Sequence, residues 1–131
     1  MPEATLRSTR TLLVVEDDAV YRNMTVHMLT KTGFQVIEAT DGEEALRLAT
    51  DRHPDLILLD LKIPKVVGFQ VLLRLKENLV TAHIPVLVLS ALQGDAEFQQ
   101  ALQYGAAEYM VKFPMNYQEL LDRVDELLER P

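Results

Sequence analysis

The chain has 131 residues, of which 48 % are hydrophobic and 25 % are charged, and its formal net charge is −7. A chain of this size and composition folds as one globular domain with a single hydrophobic core, and it is not typical of a disordered or fibrous protein. The negative charge disfavours direct binding to nucleic acid, whose phosphate backbone requires a basic protein face.

Residue content narrows the function classes further. The absence of cysteine excludes disulfides, thiolate catalysis and cysteine-ligated metals. His27, His53 and His83 stand far apart and show no metal-ligand spacing. No run reaches the roughly 18 apolar residues of a membrane helix, and residues 1–10 lack the apolar segment of a signal peptide. We therefore expect a cytoplasmic protein with no membrane partner.

The first half of the chain predicts two strands, each followed by a helix. An apolar run at residues 11–15 predicts the first strand, and Asp18 is expected to cap the helix that follows it. One buried face of this helix is predicted by the spacing of Tyr21, Met24, Thr25, Met28 and Leu29. A weaker strand at 35–38 precedes a helix that opens on Asp41 with Glu44 three residues later, which is close to a capping box.

The second half repeats this alternation. Strands are predicted at 55–59, 85–89 and 107–111, and a helix at about 68–77 separates the first two. The next helix, at 95–104, has few large apolar residues besides Phe98 and Leu102, so we expect it to be the least firmly docked. The last helix begins at Asn116, with Glu119 three residues on, and its apolar side is formed by Leu120, Leu121, Val124, Leu127 and Leu128.

Five strands alternating with five helices predict an α/β fold with right-handed crossovers and a parallel sheet covered on both faces. The expected architecture is flavodoxin-like and doubly wound, with strand order 2-1-3-4-5, over residues 11–129, preceded by a short tail at 1–10. In this order the binding crevice lies between the first and third strands, where Glu16, Asp17 and Asp60 would meet. Clustered acids repel one another unless a cation lies among them, so a divalent metal site is the first hypothesis.

Four separated motifs occur in order at strand ends over residues 11–129, although each is weak alone. They are Val14-Val15-Glu16-Asp17-Asp18, Asp60 with Leu61-Lys62-Ile63-Pro64 and Gly68, Leu89-Ser90-Ala91, and Tyr109-Met110-Val111-Lys112. Together they resemble the receiver domain of two-component response regulators, in particular single-domain regulators of the chemotaxis type.

The resemblance implies that Asp60 is the phosphoacceptor of a phosphorelay, which receives a phosphoryl group from the phosphohistidine of a histidine kinase or phosphotransfer protein. It implies a Mg²⁺ site formed by Glu16, Asp17 and Asp60 together with the main-chain carbonyl of Lys62. Magnesium suits a few carboxylates together with waters and phosphate oxygens. The chain would then promote its own phosphorylation and dephosphorylation without being a turnover enzyme.

The resemblance also assigns the residues that sense the phosphoryl group. Lys112 would neutralise its charge, and Ser90 would move to donate its hydroxyl to a phosphoryl oxygen. Tyr109 would turn inward into the space vacated. The remodelled face of the fourth helix, fifth strand and fifth helix would then bind a downstream protein, and homodimerisation is compatible with the sequence.

Two departures from the family pattern leave alternatives open. Receivers usually have proline directly after the lysine, joined by a cis bond, whereas this chain has Lys112-Phe113-Pro114. The turn then has one of three forms: a strained cis bond between Lys112 and Phe113, only trans bonds, or a cis bond between Phe113 and Pro114. Val67 also stands where an acidic residue is common. A degenerate receiver that acts only as a constitutive docking module therefore remains the alternative to a phosphorylated switch.

Enzymes on related folds fit the sequence less well. A haloacid-dehalogenase-like phosphatase needs a second aspartate two residues after its nucleophile, where this chain has Lys62. A flavodoxin needs a phosphate-binding loop after its first strand, and the acidic run at 16–18 would repel the flavin phosphate.

Overall fold

The computed structural model describes residues 7–63, 65, 67–91 and 94–129. They form a five-stranded parallel sheet of order β2-β1-β3-β4-β5. The strands are β1 (Thr11–Val15), β2 (Gln35–Ala39), β3 (Leu56–Asp60), β4 (Val86–Ser90) and β5 (Glu108–Val111). The predicted flavodoxin-like strand order is confirmed.

Helices cover both faces of the sheet. They are α1 (Ala19–Lys31), α2 (Gly42–Arg52), α3 (Gly68–Glu77), α4 (Asp95–Gln103) and α5 (Tyr117–Glu129). α1 and α5 share one apolar cluster, and α2, α3 and α4 share another. Leu12 and Val14 join the first cluster, whereas Leu13 and Val15 join the second, because successive side chains of a strand point to opposite faces. This explains why the strands are nearly continuous apolar runs.

The predicted helix starts are formed by side-chain caps. Asp18 Oδ1 accepts hydrogen bonds from the backbone N–H groups of Val20, at 2.9 Å, and Tyr21, at 3.1 Å. Asp41 Oδ1 accepts from the Glu44 N–H at 2.8 Å. Glu44 Oε1 in turn accepts from the Thr40 N–H at 2.9 Å, one residue before the cap. The capping interactions are therefore confirmed, with the reciprocal bond shifted by one residue.

One predicted helix face is wrong in part. Met24 is 51 % exposed, whereas Thr25 and Leu29 are buried and Val26 packs against the core. A helix turns by about 100° per residue, so once Thr25 and Leu29 face the sheet, Met24 is carried toward solvent. The spacing identified the helix and four of its five predicted face residues, which are buried or partly buried, whereas Met24 at the edge of the stripe is exposed.

α4 is lightly docked, as predicted. Ala101 alone among its residues is buried, and the side chains of Phe98 and Leu102 are 37 % and 40 % exposed. α5 buries Leu120, Leu121, Val124 and Leu127. The two helices therefore differ in how strongly burial of apolar surface holds them.

The amino-terminal residues contact the domain from residue 7 onward. Residues 7–9 form a helical turn, and the Arg7 guanidinium pairs with the Asp125 carboxylate of α5 and lies 5.8 Å from the ring centroid of Phe34. Arg7 and Arg10, within the tail expected at 1–10, thus pair with Asp125 and Asp55, and residues 1–6 lie outside the described part. No helix in the described residues is long and apolar enough to cross a membrane.

Candidate functional site

The carboxyl ends of β1 and β3 bring the predicted acids together. Val15 pairs with Leu59 in the sheet register, so the next residues of the two strands, Glu16 and Asp60, are neighbours at its edge. Each of Glu16, Asp17 and Asp60 offers a carboxylate oxygen within 4.8 Å of the other two. Glu16 and Asp60 are buried, whereas Asp17 is exposed.

These acids line a cleft of about 360 Å³. Its wall also includes Lys62, Ser90 and Lys112, which the motifs had predicted to lie at one site. Every predicted site residue except Tyr109 therefore borders the same cleft. The cleft lies at the topological switch point of the sheet, which is the usual binding position in open α/β folds.

Lys112 reaches the acids from the end of β5. Its backbone N–H donates to the Ser90 carbonyl at 2.8 Å, which extends the β4–β5 ladder by one residue. Its ammonium donates to Asp60 Oδ2 at 2.9 Å and to Glu16 Oε1. The side chain is buried, so these ion pairs lie away from solvent. The Lys62 N–H donates to the other Asp60 oxygen, Oδ1, at 3.1 Å, so both oxygens of this carboxylate are held.

The site holds more negative than positive charge. Burial raises the pKa of Glu16 to about 7, the Lys112 hydrogen bond opposes this rise, and the Asp60 carboxylate adds to it. Burial acts to lower the pKa of Lys112, but its hydrogen bonds to Glu16 and Asp60 outweigh that effect and raise it. Lys112 is therefore a cation throughout the neutral range, and it is shared between two carboxylates.

Arg22 is a site residue that the sequence analysis missed. Its guanidinium donates to the main-chain carbonyls of Glu16, at 2.9 Å, and Asp17, at 3.3 Å, and also pairs with Glu38 at 3.1 Å. It thus fixes the turn that carries the acids. The only available signal was a basic residue one turn into the helix after an acidic run, and such residues are usually solvated.

The turn after Lys112 resolves the alternatives that the sequence left open, because its cis peptide bond lies between Phe113 and Pro114. Phe113 is 58 % exposed, and its ring makes an edge contact with the ring of Tyr21, with the centroids 5.8 Å apart. Tyr21 was predicted only as a residue of the buried helix face. It borders the cleft instead, with its ring centroid 4.4 Å from Lys112 Nζ.

The two predicted switch residues lie in different surroundings. Ser90 is 1 % exposed and lines the cleft. Tyr109 is half-buried on β5, and its ring makes an edge contact with Phe98 of α4 at a centroid distance of 5.8 Å. Val67, at the start of α3, is 61 % exposed, and Pro64 of the second motif lies outside the described residues.

The donor set fits a hard divalent cation. Carboxylate oxygens are the ligands that Mg²⁺ prefers, and it keeps several waters in sites with few protein ligands. The exposure of Asp17 leaves room for such waters. The excess negative charge at Glu16 and Asp60 also favours a cation.

Comparison with known proteins identifies the family. The family model described as the response regulator receiver domain matches residues 12–125. Among curated relatives, the DNA-binding dual master transcriptional regulator RpaA of Synechocystis is 40 % identical over 119 residues, which cover 91 % of this chain and 49 % of that protein. The chain thus spans about half the length of the curated relatives it matches.

Solved structures agree with the family model. A putative response regulator from Chloroflexus aurantiacus superposes with a TM-score of 0.87 at 32 % identity, covering 92 % of this chain and 98 % of that one. The receiver domain of the sensor histidine kinase PA1611 from Pseudomonas aeruginosa, which has magnesium coordinated in its active-site cleft, superposes with a TM-score of 0.83 at 29 % identity, with coverage of 92 % and 98 %. The chain therefore belongs to the response regulator receiver family, whose members act as signalling switches.

Proposed function

We propose that this chain is a phosphorylation-controlled switch in which Asp60 accepts a phosphoryl group from the phosphohistidine of a histidine kinase or phosphotransfer protein. An Asp60 carboxylate oxygen forms a bond to phosphorus as the P–N bond to histidine breaks, and the product is an acyl phosphate. A carboxylate is an established nucleophile of this kind. The observation that carries the proposal is the placement of the Lys112 ammonium 2.9 Å from Asp60 Oδ2, beside two further acids in one cleft.

Phosphoryl transfer asks the protein mainly for positioning and charge neutralisation. The hydrogen bonds from Lys112 and from the Lys62 N–H hold both Asp60 oxygens in place. Lys112, a permanent cation in this site, would stay beside the negative charge of the transferred group. Glu16, Asp17, Asp60 and the main-chain carbonyl of Lys62 would hold Mg²⁺, which would supply further neutralisation when bound.

The cleft also supports the proposed readout. The Ser90 hydroxyl would donate to a phosphoryl oxygen, and Tyr109 would turn inward, changing the face formed by α4, β5 and α5. Support comes from the position of Ser90 at the cleft and from the contact of Tyr109 with Phe98 on the lightly docked α4. One hydroxyl bond to a charged group contributes roughly 1.5–3 kcal/mol. That is less than the about 5.5 kcal/mol needed to invert a 1:99 equilibrium, so Lys112 and the cation must contribute as well.

The output of the switch would be binding to another protein. The net charge of −7 supports a protein partner over direct contact with nucleic acid by this chain. RpaA, the Synechocystis relative, is DNA-binding, and it is about twice the length that this chain matches. We expect the partners of this chain to be a histidine kinase or phosphotransfer protein and a downstream protein, and homodimerisation is compatible with the sequence.

The test is phosphorylation by a small acyl phosphate donor in the presence of Mg²⁺, followed by intact-protein mass spectrometry. The wild type should gain one phosphoryl group, and Asp60→Asn should gain none. Asp18→Asn is the matched control, because Asp18 borders the same cleft but caps α1, and asparagine caps a helix equally well. No modification of the folded wild type would leave the docking module as the remaining interpretation.

A further inference from the structure

The ring of Tyr21 lies directly under the Lys112 ammonium, with its centroid 4.4 Å from Nζ. A cation within about 6 Å of an aromatic centroid is attracted by the ring quadrupole, most strongly when both groups are shielded from water. The Lys112 side chain is only 8 % exposed. Its ammonium therefore has three neighbours of complementary charge: the Glu16 carboxylate, the Asp60 carboxylate and the face of the Tyr21 ring.

The hydroxyl of Tyr21 does not explain why a tyrosine lies here. Tyr21 Oη is buried and has no hydrogen-bond partner among the described residues. Buried tyrosine hydroxyls usually have a hydrogen-bond partner, so burying this unpaired hydroxyl costs free energy and does not stabilise the fold. Burial also raises the pKa of Tyr21, so the group is a neutral phenol and not an anion for Lys112. The contribution of this residue to the site is its ring.

Tyr21 is held at its backbone and at its ring. The backbone N–H of Tyr21 donates to Asp18 Oδ1 at 3.1 Å, which ties it to the turn that carries the acids. The Phe113 ring meets it edge to face, with an interplanar angle of 73°. Phe113 directly follows Lys112, so the aromatic contact connects the first turn of α1 to the residue next to the ammonium.

We propose that Tyr21 is a positioning residue for Lys112, and that its ring holds the ammonium between Asp60 and Glu16, where it hydrogen-bonds to both. Lysine has a flexible four-carbon stem, and here two carboxylates compete for its charge. The ring restricts the side from which the ammonium approaches both acids. This inference rests on the proposed function, since positioning matters because Lys112 acts in phosphorylation of Asp60.

The first measurement is the rate of Asp60 phosphorylation by a small acyl phosphate with Mg²⁺. Tyr21→Leu removes the ring and should slow the reaction by about tenfold, which corresponds to the strength of a desolvated cation–π contact. Tyr21→Phe keeps the ring and loses only the unpaired hydroxyl, so it should react within about twofold of the wild type. Tyr21→Met is a second variant without the ring, for use if the leucine variant unfolds.

Thr25→Val is the matched control. Thr25 lies one turn further along α1, and its buried Oγ1 also has no hydrogen-bond partner among the described residues. The change perturbs the same helix face, with little change in volume, but leaves the ring and Lys112 untouched. The control should react at the wild-type rate, so a loss confined to the ringless variants is not a general effect of altering α1.

The second measurement is the NMR signal of the Lys112 ammonium protons, which does not depend on phosphorylation. The ring current of Tyr21 should shift this signal upfield in the wild type, Tyr21→Phe and Thr25→Val, and the shift should disappear in the ringless variants. A wild-type rate in Tyr21→Leu, or an unchanged Lys112 signal, would overturn the inference. If the wild type is not phosphorylated at all, the proposed function fails, while the NMR signal still decides whether the ring contacts the ammonium.

Discussion

Glu16 is the residue whose environment conflicts most with its charge. It is 3 % exposed and shares the single Lys112 ammonium with Asp60, so two carboxylates face one cation. Burial, which Lys112 opposes and Asp60 reinforces, raises its pKa from 4.5 to about 7. The folded protein without a bound cation therefore holds a proton on this group at a pH where the unfolded chain has released it.

This difference predicts how stability depends on pH. Between about pH 4.5 and 7 the folded state binds more protons than the unfolded state, so the free energy of unfolding should fall as pH rises through this window. The loss of stability should be complete above the pKa of Glu16 in the folded state, and its upper limit is on the order of 3 kcal/mol. Urea unfolding at a series of pH values, in the presence of a chelator, measures it.

Glu16→Gln should flatten this part of the stability curve, because glutamine cannot take up the proton. Glu43→Gln is the matched control, since the Glu43 side chain is 73 % exposed on α2. If the free energy of unfolding depended on pH in the same way in the wild type and in Glu16→Gln, the pKa of Glu16 would not be raised by folding.

Asp17 provides the test of the cation site. Mg²⁺ bound only by the folded state stabilises it by mass action, so the melting temperature of the wild type should rise with Mg²⁺ and return on chelation. Asp17→Asn should lose most of this rise, because it removes the exposed carboxylate of the acidic group. Asp18→Asn should keep it. The site assignment fails if Asp17→Asn responds to Mg²⁺ as the wild type does.

At the scale of elements, the start of α3 is held against Leu61, the residue that follows the proposed phosphoacceptor Asp60. The Gly68 N–H donates to the Leu61 carbonyl at 3.1 Å. A Cβ on Gly68 would lie 2.7 Å from the Leu61 carbonyl carbon and closer still to its Cα. Because backbone atoms cannot swing away as a side chain can, Gly68→Ala must displace either α3 or the turn after Asp60.

We therefore expect Gly68→Ala to lower the free energy of unfolding by about 1–3 kcal/mol, which is the usual cost of overpacking. Phosphorylation should slow as well, because the displaced turn includes the Lys62 N–H that binds Asp60. Urea unfolding and the mass-spectrometric rate measure the two effects. Gly94→Ala is the control, since its Cβ would meet only the Glu97 side chain, whose carboxylate can move aside. Equal losses in the two variants would contradict the packing argument.

The elements differ in how much of their structure follows from the local sequence. Strand positions and the caps at Asp18 and Asp41 depend on neighbouring residues alone; the caps are confirmed, and the strands are confirmed to within one residue at each end. The strand order followed from general rules on parallel sheets, and it placed Glu16 and Asp60 at one edge. The exposure of Met24 depends on how α1 is rotated against the sheet, which no local pattern encodes.

The same distinction applies inside the site. Acids and a lysine at strand ends were found because the topology gathers strand ends in one place. Arg22 and Tyr21 were not found, because each reaches the site from a helix. Arg22 binds main-chain carbonyls of the acidic turn, which no side-chain pattern marks, and Tyr21 contacts Lys112, which is distant in sequence.

At the scale of the whole molecule, the helices are not held equally to the sheet. α5 buries four leucine or valine side chains, whereas α4 buries only Ala101. Local openings occur where few apolar contacts would be lost, so α4 should open at a lower free energy than the rest of the domain. Tyr109 connects this helix to β5 through its ring contact with Phe98. A signal from the cleft would therefore change α4 at the smallest energetic cost.

Hydrogen exchange with and without Mg²⁺ and beryllofluoride, a phosphoryl mimic, distinguishes a local switch from simple stabilisation by a ligand. A ligand that merely binds the folded state slows exchange wherever amides open through global unfolding. A switch instead changes amides that open locally, so we expect rates in Asp95–Gln103 and around Tyr109 to change by about tenfold, or 1.4 kcal/mol. The exchange rates of amides that open locally in α2, on the far side of α3, should change by less than about twofold. In Asp60→Asn the exchange rates of α4 and of the residues around Tyr109 should not change on this treatment. An equal change in exchange rate along the whole chain of the wild type would contradict the switch.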